Sequence, residues 1–358
     1  MATPFTFESA ADSVTASGGG EVSLALDRAG NPRIAFSQDG SGQIIVAQRN
    51  GGTWTHESVP GGFVGRDVRA WLAIDSRGNP QLGYQDLNGG DLIHAVKSSA
   101  GQWSFSHIPT RLTPGHPPGD VFGVTFALHP GRLDPESRDV GFFAYVDPTT
   151  DGIGFAHTGS VGPMPTPAMV QSDPTDLTTF AHPAIAFDPS ENFFIAYVGY
   201  FHTGSPQDDV SVRLTHVMPQ GTFSEPQVIE GPSPFVNVRR PPSIARTFSG
   251  GCLAYFDSAS KTVKASVTSG GASGIETVAT NINNIVTPSA SSMAGDFRIA
   301  YADTDAVKLA SRSPSGVWTV EVVDAVSAGS PSLAYDNAGT AHIAYTSAGR
   351  LKYARRPA

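Results

Sequence analysis

The sequence has little cysteine and little charge. Cys252 is its one cysteine, so no disulfide can form within the chain and nothing in the composition requires an oxidising compartment. Charged residues make up 15% of the chain, and 32 acidic residues against 23 basic ones leave a net charge of −9. Nucleic acids and anionic membranes are both bound through basic surfaces. We therefore expect neither nucleic acid nor a membrane as a partner.

Two kinds of sequence signal are also missing. No stretch of about 18 consecutive apolar residues occurs, and "MATPFTFESAADS" lacks the basic start and apolar core of a secretory signal, which makes a cytoplasmic location our expectation. G-x-S-x-G, C-x-x-C, H-E-x-x-H, phosphate-loop and EF-hand patterns do not occur either. Any active site must therefore combine side chains that are far apart in sequence.

The chain does contain a repeat. Its seven copies begin with "SLALD" 23–27, "WLAID" 71–75, "TFALH" 125–129, "AIAFD" 184–188, "SIART" 243–247, "SASSM" 289–293 and "SLAYD" 332–336, at intervals of 43 to 59 residues. A second short apolar segment follows in each copy, for example "IAF" 34–36 and "IAY" 343–345. Turns such as "DRAGNP" separate the two segments, as expected for β-hairpins. Repeats of this length with four strands each are typical of propeller blades.

We therefore predict an all-β fold, a seven-bladed β-propeller with four-stranded blades. The expected blades cover approximately 20–60, 66–110, 119–172, 180–230, 239–279, 284–324 and 327–358, in one domain. The last copy has only three strands, and "FTFESA" 5–10 matches the fourth-strand pattern "WTHESV" 54–59. The amino-terminal strand, within 4–12, should therefore pair with the last blade and close the ring.

The repeat resembles bacterial seven-bladed propellers of the broad sialidase-like and BNR-like group. The Ser-x-Asp-x-Gly-x-x-Trp turn of that group is matched in part by "SRSPSGVW" 311–318, which lacks the aspartate. The resemblance implies the architecture over the whole chain. No arginine triad can be transferred from sialidases, so the sialidase reaction is not implied.

Positions where the copies differ are the best candidates for a functional site, because packing alone would keep them alike. The residue two before the start of the repeat is Glu21, Arg69 and His182 in three of the copies. The loops that lead into these segments share one face of a propeller, so the three side chains should surround its axial opening. Arg66, Arg239 and Arg240 lie close by in sequence. With Glu21 and Arg69, they form our predicted substrate-binding set, and arginine suits a carboxylate or phosphate.

The fourth copy supplies the predicted catalytic residues. His182 precedes Pro183, and an insertion, "YFHTGSPQDD" 200–209, contributes Tyr200 and His202. Histidine and tyrosine can transfer protons. No cofactor is predicted; a metal ion is a weaker alternative, for which Glu21, His182, His202, Asp208 and Asp209 are suitable ligand types. The recurring Asp86, Asp147, Asp257 and Asp303 are better explained as turn caps, and the recurring tyrosines of the second segment as core.

Three functions fit these observations. The first is an enzyme with one axial pocket that performs acid–base chemistry of the lyase, isomerase or cyclase type on a polar, anionic small molecule or uronate sugar. The second is a carbohydrate-binding lectin with several sites between blades. The third is a scaffold for protein interactions. The divergence between copies favours a single site, and therefore the enzyme with a small-molecule or sugar ligand.

Overall fold

A computed structural model describes most of the chain. The described residues are 4–12, 21–38, 41–64, 69–86, 92–108, 123–131, 138–147, 150–159, 168–172, 178–204, 208–217, 222–248, 250–269, 272–284, 287–293 and 295–358. All named elements in these ranges are β-strands. None of the described residues belongs to a helix of the length and hydrophobicity needed to cross a membrane.

The strands form seven antiparallel four-stranded sheets, which are the blades. Blade 1 contains β2 (Ser23–Leu26), β3 (Pro32–Ser37), β4 (Gln43–Asn50) and β5 (Thr53–Phe63). Blade 2 contains β6 (Trp71–Ile74), β7 (Pro80–Gln85), β8 (Leu92–Lys97) and β9 (Trp103–Ile108). Blade 3 contains β10 (Thr125–Leu128), β11 (Gly141–Asp147), β12 (Gly152–His157) and β13 (Ala168–Gln171).

The remaining blades repeat the arrangement. Blade 4 contains β14 (Thr178–Phe187), β15 (Phe193–Phe201), β16 (Asp209–His216) and β17 (Gln227–Ser233). Blade 5 contains β18 (Ser243–Thr247), β19 (Gly250–Asp257), β20 (Thr262–Ser269) and β21 (Ala272–Ala279). Blade 6 contains β22 (Ser289–Met293), β23 (Asp296–Ala302), β24 (Val307–Arg312) and β25 (Trp318–Asp324). Blade 7 contains β26 (Ser332–Tyr335), β27 (Ala341–Ser347), β28 (Arg350–Arg356) and, from the amino terminus, β1 (Thr6–Ala11).

The predicted ring closure is confirmed. β1 pairs antiparallel with β28, with Thr6 opposite Arg355 and Glu8 opposite Tyr353. The first strand of each blade contacts the first strand of the next, and β26 contacts β2. The molecule is a seven-bladed β-propeller. We call the face at which these first strands begin, and the second strands end, the top face.

The opposite, bottom face carries the turns between first and second strands. An aspartate caps each of several such turns, at Asp27, Asp75, Asp188 and Asp336. In the first, Asp27 Oδ1 accepts hydrogen bonds from the backbone N–H groups of Ala29 and Asn31, both at 2.9 Å. The D-x-x-G sequence of the repeat is therefore explained by local backbone hydrogen bonding.

The serine that begins the repeat joins neighbouring blades. Ser23 Oγ accepts a hydrogen bond from Leu72 N in the next blade at 2.9 Å, and Ser332 Oγ accepts one from Leu24 N at 3.0 Å. Ser243 and Ser289 bind Ala290 N and Leu333 N in the same way. These bonds join blades 7 to 1, 1 to 2, 5 to 6 and 6 to 7. Blades 2, 3 and 4 have Trp71, Thr125 and Ala184 at this position.

A second connection lies between the outer strands of the same four pairs of blades. Glu276 of blade 5 accepts hydrogen bonds from Arg312 Nε at 2.8 Å and from Trp318 Nε1 at 2.7 Å in blade 6. Blades 7 and 1 are joined by Glu8 with Arg49 and Trp54, blades 1 and 2 by Glu57 with Lys97 and Trp103, and blades 6 and 7 by Glu321 with Arg356. We call each of these a glutamate staple.

Blades 5, 6, 7, 1 and 2 thus form a regular arc, from which blades 3 and 4 depart.

The core between blades 3 and 4 is aromatic. Phe142 is fully buried, and its ring lies 5.1 Å from that of Phe187 and 5.2 Å from that of Phe193, centroid to centroid. The recurring tyrosines are also core, because Tyr84, Tyr145, Tyr197, Tyr255, Tyr301 and Tyr345 are all at most 3% exposed. They are therefore unable to contact a ligand on the surface.

Blade 4 is longer than the other blades at the top face. Residues Thr178–Ala181 of β14 pair with Val198–Phe201 of β15. This part of the hairpin extends past the point at which the first strands of the other blades begin. The residues that lead into blade 4 from 178 onward, and part of the predicted insertion 200–209, are therefore strand. The two segments lengthen one hairpin, while residues 173–177 and 205–207 lie outside the described residues.

Candidate functional site at the axial opening

One position in each blade surrounds the top of the axis. It lies two residues before the repeat serine and is occupied by Glu21, Arg69, Gly123, His182, Pro241, Thr287 and Ser330. The structure brings several of these residues together. We call this set the axial ring.

Glu21 and Arg69 form a buried ion pair in the axial ring. Arg69 Nη2 lies 2.7 Å from Glu21 Oε2, and the two side chains are 9% and 7% exposed. Glu21 Oε1 also accepts a hydrogen bond from Thr287 Oγ1 at 3.1 Å, and Thr287 N donates to Ser330 Oγ. Because blade 7 separates blades 6 and 1, the contact with Thr287 directs the Glu21 carboxylate into the axial opening.

The Arg69 guanidinium is oriented but incompletely bonded. Its Cζ atom lies 4.6 Å from the centre of the Trp71 ring, and Trp71 Nε1 donates to Val124 O at 2.5 Å. Among the described residues, Arg69 Nη2 makes a close ionic contact with Glu21 Oε2, whereas Nε is buried and has no hydrogen-bond acceptor. Arginine remains charged at all relevant pH values, and a buried donor without an acceptor is costly. An anion is the kind of ligand that would satisfy this donor.

His182 occupies the axial ring at a backbone bulge. The pairing of β14 with β15 shifts between Ala181 and Ala184, and His182 has a φ of 54°, in the left-handed region that is uncommon for residues other than glycine. Its side chain is buried. Burial, with a further contribution from the charge of Arg240, lowers the pKa of His182 to about 4. The imidazole is therefore neutral at pH 7.

Blade 3 brings the Arg69 and His182 sides of the ring into contact. Gly123 lies between them around the axis, and a Cβ atom there would be 2.5 Å from Pro183 Cδ. Glycine is required because a larger residue would push the His182–Pro183 bulge away. Contacts from Arg69 to Trp71, from Trp71 to Val124 and from Gly123 to Pro183 therefore link the Arg69 side of the axial ring to the His182 side.

Tyr200 lies beside His182. The two ring centroids are 6.3 Å apart in an edge-to-face arrangement, and the Tyr200 hydroxyl donates to Val238 O at 2.5 Å. Burial raises the pKa of Tyr200 well above its ordinary value, and the nearby charges of Arg239 and Asp208 act in opposite directions. Tyr200 therefore carries its proton and is a donor rather than a base.

The other predicted residues lie farther out or outside the described part of the chain. His202 is 44% exposed, with Nδ1 3.0 Å from Asp208 Oδ1 and Nε2 2.9 Å from Thr179 Oγ1. Arg239 is exposed and donates from Nε to Asn237 Oδ1 at 3.0 Å, whereas Arg240 is half-buried. Arg66 lies outside the described residues. The structure thus brings His182 together with Tyr200, within range of the charge of Arg240, and Glu21 together with Arg69.

Sequence reasoning missed Trp71, Thr287 and Ser330. Trp71 replaces the repeat serine, so the comparison of copies that identified Arg69 could also have identified it. Thr287 and Ser330 are small hydroxyl residues without a distinctive pattern, and only the folded ring shows their connection to Glu21. The recurring aspartates have structural roles: Asp257 Oδ1 accepts Asn237 N at 2.9 Å, and Asp303 Oδ1 accepts Thr304 N at 2.8 Å.

A metal site receives no support from side-chain positions. No three histidine, cysteine, aspartate or glutamate side chains among the described residues are grouped so that they could hold a metal ion. The axial ring instead combines one guanidinium, one carboxylate and one neutral imidazole. This set can bind an anionic group and exchange a proton with it.

Comparisons with known proteins show the fold and no closer relationship. No protein-family model and no curated protein sequence matches the chain. A polysaccharide lyase, an ulvan lyase solved with bound -[GlcA(1-4)Rha3S]-, is similar over 98% of this chain and 94% of its own, with a TM-score of 0.62 and 11% identity. A streptogramin B lyase has a TM-score of 0.57 and 13% identity, with 98% of this chain and 97% of its own covered.

A glycoside hydrolase gives a comparable match. The α-L-arabinanase of Penicillium chrysogenum, solved with arabinobiose, has a TM-score of 0.55 and 10% identity over 100% of this chain and 98% of its own. Propeller lyases and glycoside hydrolases are thus among the structural neighbours. At these identities they establish the seven-bladed architecture alone.

Proposed function

We propose that this protein is an enzyme with one active site at the axial opening of the top face, and that it acts on a uronate sugar by β-elimination. The observation that carries the proposal is the buried Arg69 guanidinium, whose Nε atom has no hydrogen-bond acceptor among the described residues. A carboxylate of the substrate would accept from this donor.

The elimination needs three contributions from the protein. A base removes the proton from C5, next to the carboxylate; the C4–O4 bond breaks as a C4=C5 double bond forms; and the departing oxygen takes up a proton. A cation on the carboxylate stabilises the negative charge that develops at C5. Arg69 performs this role in our proposal.

His182 is the proposed base. It is neutral at pH 7 because burial and the charge of Arg240 lower its pKa to about 4. A bound carboxylate would offset the positive charge of Arg240 and raise the pKa of His182 toward the range in which proton transfer is efficient. The substrate would therefore activate the base that it requires.

Tyr200 is the proposed proton donor. Its hydroxyl is protonated, lies beside the His182 ring and donates to Val238 O before substrate binds. Rotation of the hydroxyl and transfer of its proton to the leaving oxygen would complete the elimination. The tyrosinate would then take up a proton, and the His182 imidazolium would release the one from C5, which restores both groups. His202 is more exposed and paired with Asp208, so we assign it a contact with substrate beyond the axial ring.

The similarity to lyases and sugar hydrolases supports this choice of substrate without deciding it. The ulvan lyase was solved with a glucuronate-containing chain, and the arabinanase with a disaccharide. The chemistry itself is proposed from the residues of the axial ring.

Substitution of Arg69 tests the function directly. A panel of 4-linked disaccharides of galacturonate, glucuronate and mannuronate is offered to the protein, and formation of the unsaturated product is followed by its ultraviolet absorbance. We expect turnover of at least one sugar, and a loss in kcat/KM of about 10²-fold or more in Arg69→Gln, because the carboxylate loses its charged partner. His182→Gln should lower kcat by about 10²-fold or more.

The matched control is Arg77→Gln, at an exposed position in a bottom-face turn. It removes the same charge without touching the axial ring and should leave kcat/KM unchanged. The proposal fails if none of the sugars is converted, or if Arg69→Gln retains full activity while remaining folded. Binding without conversion would point to a lectin instead.

A further inference from the structure

The loop that enters blade 5 forms an extended surface segment beside the axial ring. Residues 235–239 alternate between solvent and core, with Val236 and Val238 only 6% and 0% exposed. Phe235, Asn237 and Arg239 lie on the other side, Phe235 being 82% exposed. Phe235 lies in the turn that follows β17, in which Val236 N donates to Ser233 O at 3.3 Å. Asn237 and Arg239 lie on one side of the chain that follows, because Arg239 Nε donates to Asn237 Oδ1. An aromatic ring, an amide and a guanidinium therefore follow one another along the exposed part of the loop.

The segment is fixed by hydrogen bonds from both neighbouring blades. Asn237 N donates to Asp257 Oδ1 at 2.9 Å, and Ser258 N donates to Asn237 O at 2.7 Å. From blade 4, Tyr200 donates to Val238 O at 2.5 Å. The exposed side chains therefore stand on a preorganised backbone, which lowers the entropy cost of binding a ligand.

The segment leads to the proposed active site. It begins at the end of β17, the outer strand of blade 4, and continues inward through Arg240, whose charge contributes to the lowered pKa of His182. Arg239 also influences Tyr200 electrostatically. The order from the outer rim to the axis is thus Phe235, Asn237, Arg239, Arg240 and His182.

We propose that Phe235, Asn237 and Arg239 form a second binding site, which holds the neighbouring residues of an acidic oligosaccharide whose reacting sugar lies in the axial ring. An exposed aromatic ring can stack on the apolar face of a sugar, the Asn237 amide can bind hydroxyl groups, and Arg239 can bind a carboxylate or sulfate. Arg239 Nε already donates to Asn237 Oδ1, which orients the guanidinium. This inference rests on the proposed function and specifies its substrate as a chain rather than a single small molecule.

An acidic sugar chain fits this surface better than a protein partner does. Protein interfaces centre on contiguous apolar clusters, whereas Phe235 is followed by one amide and one guanidinium. A line of separate contacts suits a linear ligand. The two arginines, Arg239 and Arg240, favour a negatively charged one.

The test compares ligands of two lengths. Dissociation constants are measured by calorimetry for the disaccharide and the hexasaccharide of each uronate in the panel. We expect Phe235→Ala and Arg239→Gln each to weaken binding of the hexasaccharide by about tenfold and to leave the disaccharide within about twofold. Phe248→Ala and Arg77→Gln are the controls, because Phe248 is 79% exposed in a bottom-face turn and Arg77 is exposed there too. Neither control should change binding.

Arg69→Gln separates this inference from the proposed function. If Arg69→Gln weakens both lengths while Phe235→Ala and Arg239→Gln affect them equally or not at all, the second site is wrong and the axial site stands. If the hexasaccharide depends on Phe235 and Arg239 but not on Arg69, the axial site is wrong and the second site stands. If no uronate of either length binds, both proposals are wrong.

Discussion

Two buried histidines show that a lowered pKa does not by itself identify a functional residue. Burial lowers the pKa of both His94 and His182 to about 4. His94 lies in β8, with Nε2 2.7 Å from Gln81 Oε1 and its ring 5.4 Å from that of Phe126, inside the packing of blades 2 and 3. His182 is beside Arg240 and Tyr200 at the axial ring. Position, rather than pKa, assigns the role.

His94 should make the protein less stable in mild acid. Its pKa is about 4 in the folded state and about 6.5 when unfolded, so between these values the unfolded chain binds more protons. This group makes its full contribution to the free energy of unfolding above about pH 6.5. The contribution is lost as the pH falls toward about 4, and the loss reaches about 3 kcal/mol. His94→Gln cannot be protonated and should make the urea midpoint less sensitive to pH over that interval.

His182→Gln provides the comparison, because it should reduce the same pH dependence and also abolish turnover. His94→Gln should keep its activity toward any sugar that the wild type converts. An unchanged pH dependence in His94→Gln would contradict the buried, neutral state of this histidine.

The comparison of repeat copies singled out some residues of the axial ring and missed others for a physical reason. Glu21, Arg69 and His182 are ionisable at a position that is otherwise small or apolar, so the sequence alone identifies them. In the sequence, Thr287 cannot be distinguished from a residue that serves packing alone. Only the closed ring shows that its Oγ1 lies 3.1 Å from Glu21 Oε1. Phe235 was missed because an exposed aromatic side chain carries no periodic signal.

The glutamate staples explain why outer strands repeat tryptophan and glutamate. Trp54, Trp103 and Trp318 each donate from Nε1 to a glutamate of the preceding blade. Phe5 replaces tryptophan at the start of the amino-terminal strand, and the Arg356 guanidinium lies 4.5 Å from the centre of its ring. The match of "FTFESA" with "WTHESV" therefore indicated both that the amino-terminal segment is a fourth strand and that it makes the contacts of the glutamate staples.

Loss of one staple should destabilise the fold without touching the site. Glu276→Gln removes the charge from a carboxylate that is bonded by Arg312 and Trp318, and hydrogen bonding by Arg312 lowers the Glu276 pKa. We expect a loss of about 1–3 kcal/mol in the free energy of unfolding at neutral pH, measured with urea. The loss should disappear in acid, as Glu276 becomes protonated in the wild type.

Asp305→Asn is the control for this experiment. Asp305 is exposed in a top-face turn of blade 6, so its substitution removes a negative charge outside the staples and should change stability by less than about 0.5 kcal/mol. If Glu276→Gln and Asp305→Asn have equal effects, the staple does not stabilise the contact between blades 5 and 6.

Strand lengths were less predictable than strand order. The additional residues around 178–181 and 198–201 contain threonine, alanine and glycine, and the sequence does not distinguish a longer hairpin from a loop. The pairing depends on partners from two segments that both depart from the repeat. Every copy in the regular arc, by contrast, was recognisable from its small inner residue and its second apolar segment, and the copies in blades 1, 2 and 7 also from a turn aspartate.

The whole ring divides into a regular arc and a variable one. Blades 5, 6, 7, 1 and 2 are joined by both the serine bonds and the glutamate staples, whereas blades 3 and 4 have an aromatic core and the lengthened hairpin. The axial ring draws Glu21 and Arg69 from the regular arc and His182 from the variable one. Sevenfold repetition could be predicted from sequence because it is periodic. The residues of the proposed site could be singled out only where that periodicity fails.

The number of ligands bound by each chain tests this account most directly. Calorimetric titration of His182→Gln, in which turnover is suppressed, with the uronate disaccharide that the wild type converts should give one ligand per chain, and adding Arg69→Gln should abolish the measurable heat of binding. Several equivalent ligands per chain, or an affinity that Arg69→Gln leaves unchanged, would contradict a single anion site in the axial opening.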